Sequence, residues 1–127
     1  MAGLPVFLLD SVTEGGGEQT GAIVITGSHG GLSAARYALG YRPLLVVFND
    51  AGGGKEGAGV AGLWVLEEAG VAAAAVAHTT ARIGEARDTW ENGVLSWVNA
   101  PARALGLRRG EALRQAVHRL ARARRRR

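Results

Sequence analysis

The sequence predicts a small three-layer α/β domain with a mainly parallel sheet of about four strands. Through the middle of the chain, short apolar runs alternate with segments of helical periodicity. That alternation favours a parallel sheet with right-handed crossover connections. Three successive predicted strands also end in polar segments marked by glycine, whereas the turns that lead back into the strands are short. The C-terminal edge of the sheet is therefore the expected place for a ligand site.

Four apolar runs are the predicted strands, and four periodic segments are the predicted helices. The strands cover residues 5–9, 22–26, 44–48 and 71–77, and the last two are continuous apolar runs typical of strands buried on both faces. The helices cover residues 32–39, 60–69, 94–105 and 110–124, of which the first three end at Gly40, Gly70 and Gly106. Residues 78–93 connect the fourth strand to the third helix. This arrangement places the domain in the Rossmann-like or flavodoxin-like class.

Composition narrows the possible classes of protein. A chain of 127 residues with 47% hydrophobic residues is expected to fold as one domain. It has no cysteine, which excludes disulfides, thiolate metal sites and a cysteine nucleophile. No apolar run reaches the roughly 18 residues of a membrane span, and the N-terminus lacks the pattern of a signal peptide. We therefore expect a cytoplasmic protein without membrane association.

The charges are divided unevenly along the chain. Residues 108–127 hold nine arginines and one acidic residue, whereas residues 1–107 carry more acidic than basic groups. We expect a folded domain over residues 1–122 and a flexible arginine-rich tail over residues 123–127. Because the tail has no interleaved aromatic residues, nucleic acid is disfavoured as a partner, and only weak, sequence-blind contact with it is expected.

The small side chains of the predicted core suggest self-association. Aromatic residues make up only 6% of the chain, and alanine and glycine are abundant. Such a core buries little apolar area per residue, so additional burial between copies would stabilise the fold. Trp64, Trp90 and Trp97 add large apolar surface, and Trp64 and Trp97 are expected on the second and third helices. The sequence therefore predicts a homo-oligomer.

The polar segments after strands two, three and four supply the candidate site residues. The proposed catalytic side chains are Ser28, His29, Asp50, Lys55 and His78. The proposed substrate-binding residues are Gly27, Gly30, Gly31, Asn49, Thr79, Thr80 and Arg82. Glycine amides before a helix and an arginine fork both suit an anion, and histidine suits proton transfer near neutral pH. The loop over residues 49–59 is expected to be a mobile flap that carries Lys55.

These residues favour a small, cofactor-independent enzyme acting on a compact anionic carboxylate or amide by hydrolysis or elimination. The alternative is a non-catalytic ligand-binding or accessory subunit. Gly52, Gly54 and Gly57 fit the spacing of a dinucleotide fingerprint, but they begin three residues too late and lack the later acidic residue. A phosphate-binding P-loop is excluded because Glu56 follows Lys55. No spacing motif supports a metal site, and none is predicted.

The roles of Ser28, Asp50 and His78 each allow more than one interpretation. Ser28, Asp50 and His78 occur in the chain order of an α/β-hydrolase triad, but Thr26 replaces the first glycine of that motif, so the family is not assigned. Ser28 is alternatively the N-cap of the first helix. Asp50 and His78 follow neighbouring strands and are expected to meet in one site, unless Asp50 only caps its own loop and His78 only fills space.

Overall fold

Five strands form one sheet in the computed structural model, which describes residues 4–125 of the chain. They are β1 (Val6–Leu9), β2 (Ile23–His29), β3 (Leu45–Asn49), β4 (Ala72–Val76) and β5 (Leu95–Val98). The strands lie side by side in chain order; β1 to β4 are parallel, and β5 is antiparallel to β4. The described sheet is thus one strand wider than predicted. Its order lacks the reversal that characterises the Rossmann and flavodoxin arrangements.

Helices cover both faces of this sheet and give the predicted three layers. They are α1 (Leu32–Tyr41), α2 (Gly62–Glu68), α3 (Ala86–Asn92), α4 (Ala100–Ala104) and α5 (Leu113–Arg125). One apolar cluster joins α1 and α2 to inward side chains such as Val46 and Phe48. The other joins α4 and α5 to the opposite face, through side chains such as Val47 and Leu120. All residues of β3 and β4 are buried, as expected for strands covered on both faces.

The helix predicted over residues 94–105 is wrong. This segment forms β5 and then the short helix α4, so Trp97 lies on a strand and not on a helix. The error has a physical cause: Leu95, Val98 and Ala102 all enter the same apolar cluster and lie at spacings that mimic one helical face. Asn99 separates the two elements because its side chain accepts a hydrogen bond from the Ala102 amide and caps α4.

Several strands and helices also begin or end at other residues than predicted. Strand β2 continues to His29, three residues beyond the predicted end, and α1 continues through Gly40 to Tyr41. Arg42 ends α1 in the left-handed conformation with φ 45°. Residues 78–93, expected as a connection, contain α3, and its Asp88 and Asn92 side chains are hydrogen-bonded to each other. Helix α2 is shorter than predicted at both ends, and α5 begins at Leu113.

The ends of the described chain bear on two further expectations. Helix α5 continues to Arg125, so the first three residues of the predicted tail are helical, and Arg126 and Arg127 lie outside the described residues. Within residues 4–125, no helix is long and apolar enough to cross a membrane.

Val6 and Leu8 on β1 and Trp64 on α2 are each about 40% exposed. These exposed apolar side chains are where copies of the chain would be expected to meet in a homo-oligomer. The homo-oligomer itself stays a prediction.

Candidate functional site

The predicted site residues divide into two groups at the C-terminal edge of the sheet. Asp50 and His78, which we call the dyad, follow β3 and β4 and are in direct contact. Gly27, Ser28 and His29 line a separate cleft beside the end of β1, which we call the Ser28 cleft. The sequence analysis assigned both groups to one site, whereas no hydrogen bond among the described residues joins Ser28 to His78.

Asp50 is held in place by the way β3 ends. The preceding residue, Asn49, is fully buried; its side-chain amide donates to the Ala81 carbonyl at 2.9 Å and its side-chain oxygen accepts from the Ala51 amide at 2.8 Å. Asp50 donates its own amide to the Val76 carbonyl at the end of β4. Both polar atoms of the Asn49 side chain are therefore hydrogen-bonded to backbone groups. These contacts support a role in positioning Asp50, in place of the predicted contact with substrate.

The Asp50 carboxylate accepts four hydrogen bonds. One oxygen, Oδ1, accepts from the Gly52 amide at 2.8 Å and the His78 amide at 3.0 Å, and it lies 3.3 Å from Nδ1 of the His78 ring. The other oxygen, Oδ2, accepts from the Ser96 hydroxyl at 2.7 Å. Asp50 thus caps its own loop, as one alternative held, and it also orients the histidine.

These contacts favour the ionised form of Asp50. Burial raises the pKa of the carboxyl, but the hydrogen bonds from Ser96, Gly52 and His78 together lower it by more, so the pKa lies below its ordinary value of 3.8. The side chain is only 9% exposed. Asp50 is therefore an ionised, nearly enclosed carboxylate at neutral pH.

The His78 side chain is not buried. Its side chain is 55% exposed, in contrast to the buried structural histidine that was the alternative prediction. Because an ionised carboxylate only accepts hydrogen bonds, Nδ1 carries the hydrogen that faces Asp50, and Nε2 is left with a free lone pair. A carboxylate that fixes the tautomer and stabilises the imidazolium is the arrangement that general-base catalysis requires.

The loop that carries Lys55 packs beside this ring. A Cβ atom added to Gly52 would lie 3.5 Å from Cε1 of His78. Four glycines of the loop have positive φ, as do Ala51 and Glu56 with φ of 50° and 54°. Glycine adopts positive φ without the steric cost that other residues have, so the backbone conformation accounts for these four glycines. The mobile flap stays a prediction. Lys55 itself is exposed on this loop.

The segment after β4 contributes fewer ligand groups than predicted. The Thr80 hydroxyl donates to the Ala77 carbonyl at 2.7 Å and accepts from the Val94 amide at 3.1 Å, so it closes a turn. Thr79 is exposed. The Arg82 side chain is 81% exposed, and its guanidinium lies 3.9 Å from a carboxylate oxygen of Glu85, a distance that leaves it accessible.

Ser28 is not a helix cap, and no hydrogen bond among the described residues joins it to the dyad. Its hydroxyl accepts from the Val12 amide at 2.9 Å, and the N-cap of α1 is Gly31. The neighbouring His29 is exposed, and its Nδ1 accepts from the Gly31 amide at 3.2 Å. Ser28 and His29 thus lie on the last residues of β2 and face a cleft of their own.

The glycines around this strand end allow close backbone approach. A Cβ at Gly27 would lie 2.7 Å from Cα of Gly84, and the Gly27 carbonyl accepts from the Gly84 amide at 2.7 Å. A Cβ at Gly30 would lie 2.9 Å from the Leu63 side chain. Gly31 would press on the His29 ring in the same way. Backbone packing therefore explains Gly27, whereas the nearest contacts of Gly30 and Gly31 are with side chains.

Ser96 belongs to the candidate site and was missed. It lies on β5, which sequence reasoning treated as a helix. In the sheet β5 is next to β4 and β4 is next to β3, and Ser96 reaches Asp50 at the end of β3. A usable signal was present: Asn99 followed by Pro101 is typical of a helix start, which would have freed residues 94–98 to be a strand.

The nearly enclosed Asp50 carboxylate leads to a prediction about acid stability. Because the Asp50 pKa is lowered in the folded protein, its stabilising contribution is complete above pH 3.8 and is lost as the pH falls through the lowered value. We expect wild type to exceed Asp50→Asn in free energy of unfolding at about pH 6, with the difference shrinking at about pH 3. Urea unfolding at both pH values measures it. A difference that does not change with pH would contradict the assignment.

Within residues 4–125, no three histidine or acidic side chains are grouped so that they could hold a metal ion.

Comparison of the chain with protein-family models, curated proteins and solved structures found no match.

Proposed function

We propose that the protein is a small enzyme that hydrolyses, or eliminates a group from, a compact anionic metabolite with a carboxylate or amide. The observation that carries the proposal is the dyad: an ionised, enclosed Asp50 beside Nδ1 of a histidine that is 55% exposed. Asp50 and His78 lie at the C-terminal edge of parallel strands, which is the edge where open α/β sheets bind ligands.

In the hydrolytic form of the proposal, Nε2 of His78 takes a proton from a water molecule as that water attacks the substrate carbonyl. The resulting imidazolium is stabilised by Asp50 and returns the proton to the leaving group. In the elimination form, Nε2 takes the proton from the carbon next to the carboxylate, and the same proton leaves with the departing group. Neither form needs Ser28 or Lys55 as a nucleophile.

Two exposed cations are available to hold the substrate anion. Lys55 lies on the loop whose Gly52 packs against the His78 ring, and Arg82 lies four residues after His78. Arginine offers a planar pair of donors to a carboxylate, and lysine offers a point charge. Thr79, exposed next to His78, is a further hydrogen-bonding group on the same segment.

The test is a turnover screen of small carboxylates, amides and esters with the full chain. For any substrate found, we expect His78→Gln and Asp50→Asn to lower kcat/KM by about 100-fold or more, because both remove the oriented base. Ser28→Ala is the matched control and should leave kcat/KM within about twofold. Circular dichroism and a cooperative urea transition establish that each variant is folded.

The results separate the dyad from the triad. Loss of turnover in Ser28→Ala, or full turnover in folded His78→Gln, would overturn the proposal. If no member of the panel is turned over, a non-catalytic ligand-binding or accessory subunit becomes the better account. One observation favours that alternative: half-exposed Trp64 packs edge-on against Trp97 with ring centroids 6.2 Å apart, a surface suited to a partner.

A further inference from the structure

The Ser28 cleft is a concavity lined by different residues from those of the dyad. It lies between the turn after β1, the end of β2, the first turns of α1 and the loop at Gly84. Its volume is about 380 Å³, within the usual range for small-molecule sites. None of Asp50, Lys55 and His78 lines it. An occupant of this cleft would therefore be recognised by other chemistry than the proposed anionic substrate.

The walls of the cleft are largely apolar. Val12 and Ala34 line it and are buried. Tyr37 and Ile83 also line it, and they remain 52% and 55% exposed. Large apolar side chains left in solvent around a concavity are typical of a ligand groove, because a bound apolar body would cover them. A flat ring has the shape and the character to pack between a tyrosine and an isoleucine.

The charge of the lining selects against anions. Asp10 lines the cleft, and no arginine or lysine does so among the described residues. One carboxylate oxygen of Asp10 accepts from the Ala86 amide at 3.0 Å, which fixes the side chain and leaves the second oxygen for a ligand. A cationic group is attracted to such a carboxylate, whereas a ligand carboxylate is repelled.

His29 adds a hydrogen-bond donor to the same cleft. Because its Nδ1 accepts from the Gly31 amide, the hydrogen of the neutral ring is on Nε2. Ser33 contributes a hydroxyl to the lining. From the apolar walls, the single carboxylate and this donor, we propose that the Ser28 cleft binds a small aromatic or heteroaromatic amine.

The test compares two probes that share one ring and differ in charge. Ligand-observed NMR with the full chain measures the affinity for tryptamine and for indole-3-acetate. We expect tryptamine to bind with a Kd of about 1 mM or below and indole-3-acetate to bind at least about tenfold more weakly. Tyr37→Ala, an exposed position, should weaken tryptamine by about tenfold through loss of one wall.

Asp10→Asn provides the charge test, because its amide oxygen can still accept from the Ala86 amide. We expect the variant to keep the fold, which circular dichroism checks. We expect the preference for tryptamine to fall to about twofold or less in this variant. Glu91→Gln on α3, which removes an exposed carboxylate outside the cleft, is the matched control and should keep the full preference. Absence of tryptamine binding, equal affinity for the two probes, or an unchanged preference in Asp10→Asn would overturn the proposal. Turnover by the dyad does not enter this experiment, so the two proposals fail separately.

Discussion

Replacing Asn99 with alanine is expected to lower the free energy of unfolding by about 4 kcal/mol, since it breaks four hydrogen bonds in a fully buried place. The side-chain oxygen accepts from the Ala73 amide at 2.9 Å and the Ala102 amide at 3.1 Å. The side-chain nitrogen donates to the Leu63 carbonyl at 3.1 Å and the Val71 carbonyl at 3.0 Å. Urea unfolding followed by tryptophan fluorescence measures the loss.

The size of this effect follows from what alanine leaves behind. Two amides and two carbonyls lose their partner where water has no access, because Asn99 is 0% exposed. Asn92, which is exposed and makes one side-chain bond to Asp88 at 2.7 Å, is the matched control. Asn92→Ala should cost less than about 1 kcal/mol. If both variants had equal stability, Asn99 would not be the polar link between β4, α2 and α4.

The central strands are the part of the fold that could be predicted from sequence. Continuous apolar runs at residues 44–48 and 71–77 leave no face for solvent, and such runs are stable only between two layers. Both became fully buried strands, β3 and β4. The three layers follow from the same observation, since each face of these strands needs its own cover.

The strand β5 could not be found by periodicity alone. Its apolar residues Leu95 and Val98 face the same cluster as Ala102 on the following helix, so a strand and a helix together reproduce one helical stripe. Antiparallel pairing with β4 decides the outcome, and that pairing depends on residues about twenty positions away. Ser96, the partner of Asp50, was lost with the strand.

The candidate site was partly predictable for a topological reason. Asp50 and His78 each follow the end of a neighbouring parallel strand, and such positions meet at one edge. Their contact is present in the structure, while their catalytic role stays a prediction. Ser28 differs because β2 continues past Thr26, with an irregular register against β3. The contacts that direct this strand end, to Asp10 and Gly84, come from distant parts of the chain.

Gly62→Ala is expected to destabilise the fold by about 3 kcal/mol, although alanine is the better helix former. Gly62 begins α2, and its amide donates to the Gly30 carbonyl at 2.8 Å. An added Cβ would lie 2.8 Å from that same carbonyl oxygen and 2.9 Å from Cβ of Ala35 on α1. The Gly30 carbonyl belongs to the backbone and cannot rotate away as a side chain can. Helices α1 and α2 would therefore have to separate to admit the added methyl group. Urea unfolding measures the loss of stability.

Gly40 supplies the matched control, because it is also a glycine within a helix. It lies in α1, it is exposed, and a Cβ added there would meet nothing within 4 Å. Gly40→Ala should therefore stabilise the protein by about 0.5–1 kcal/mol through helix propensity alone. The opposite signs of the two substitutions separate packing from propensity. If Gly62→Ala were as favourable as Gly40→Ala, the close approach of α2 to the turn between β2 and α1 would be wrong.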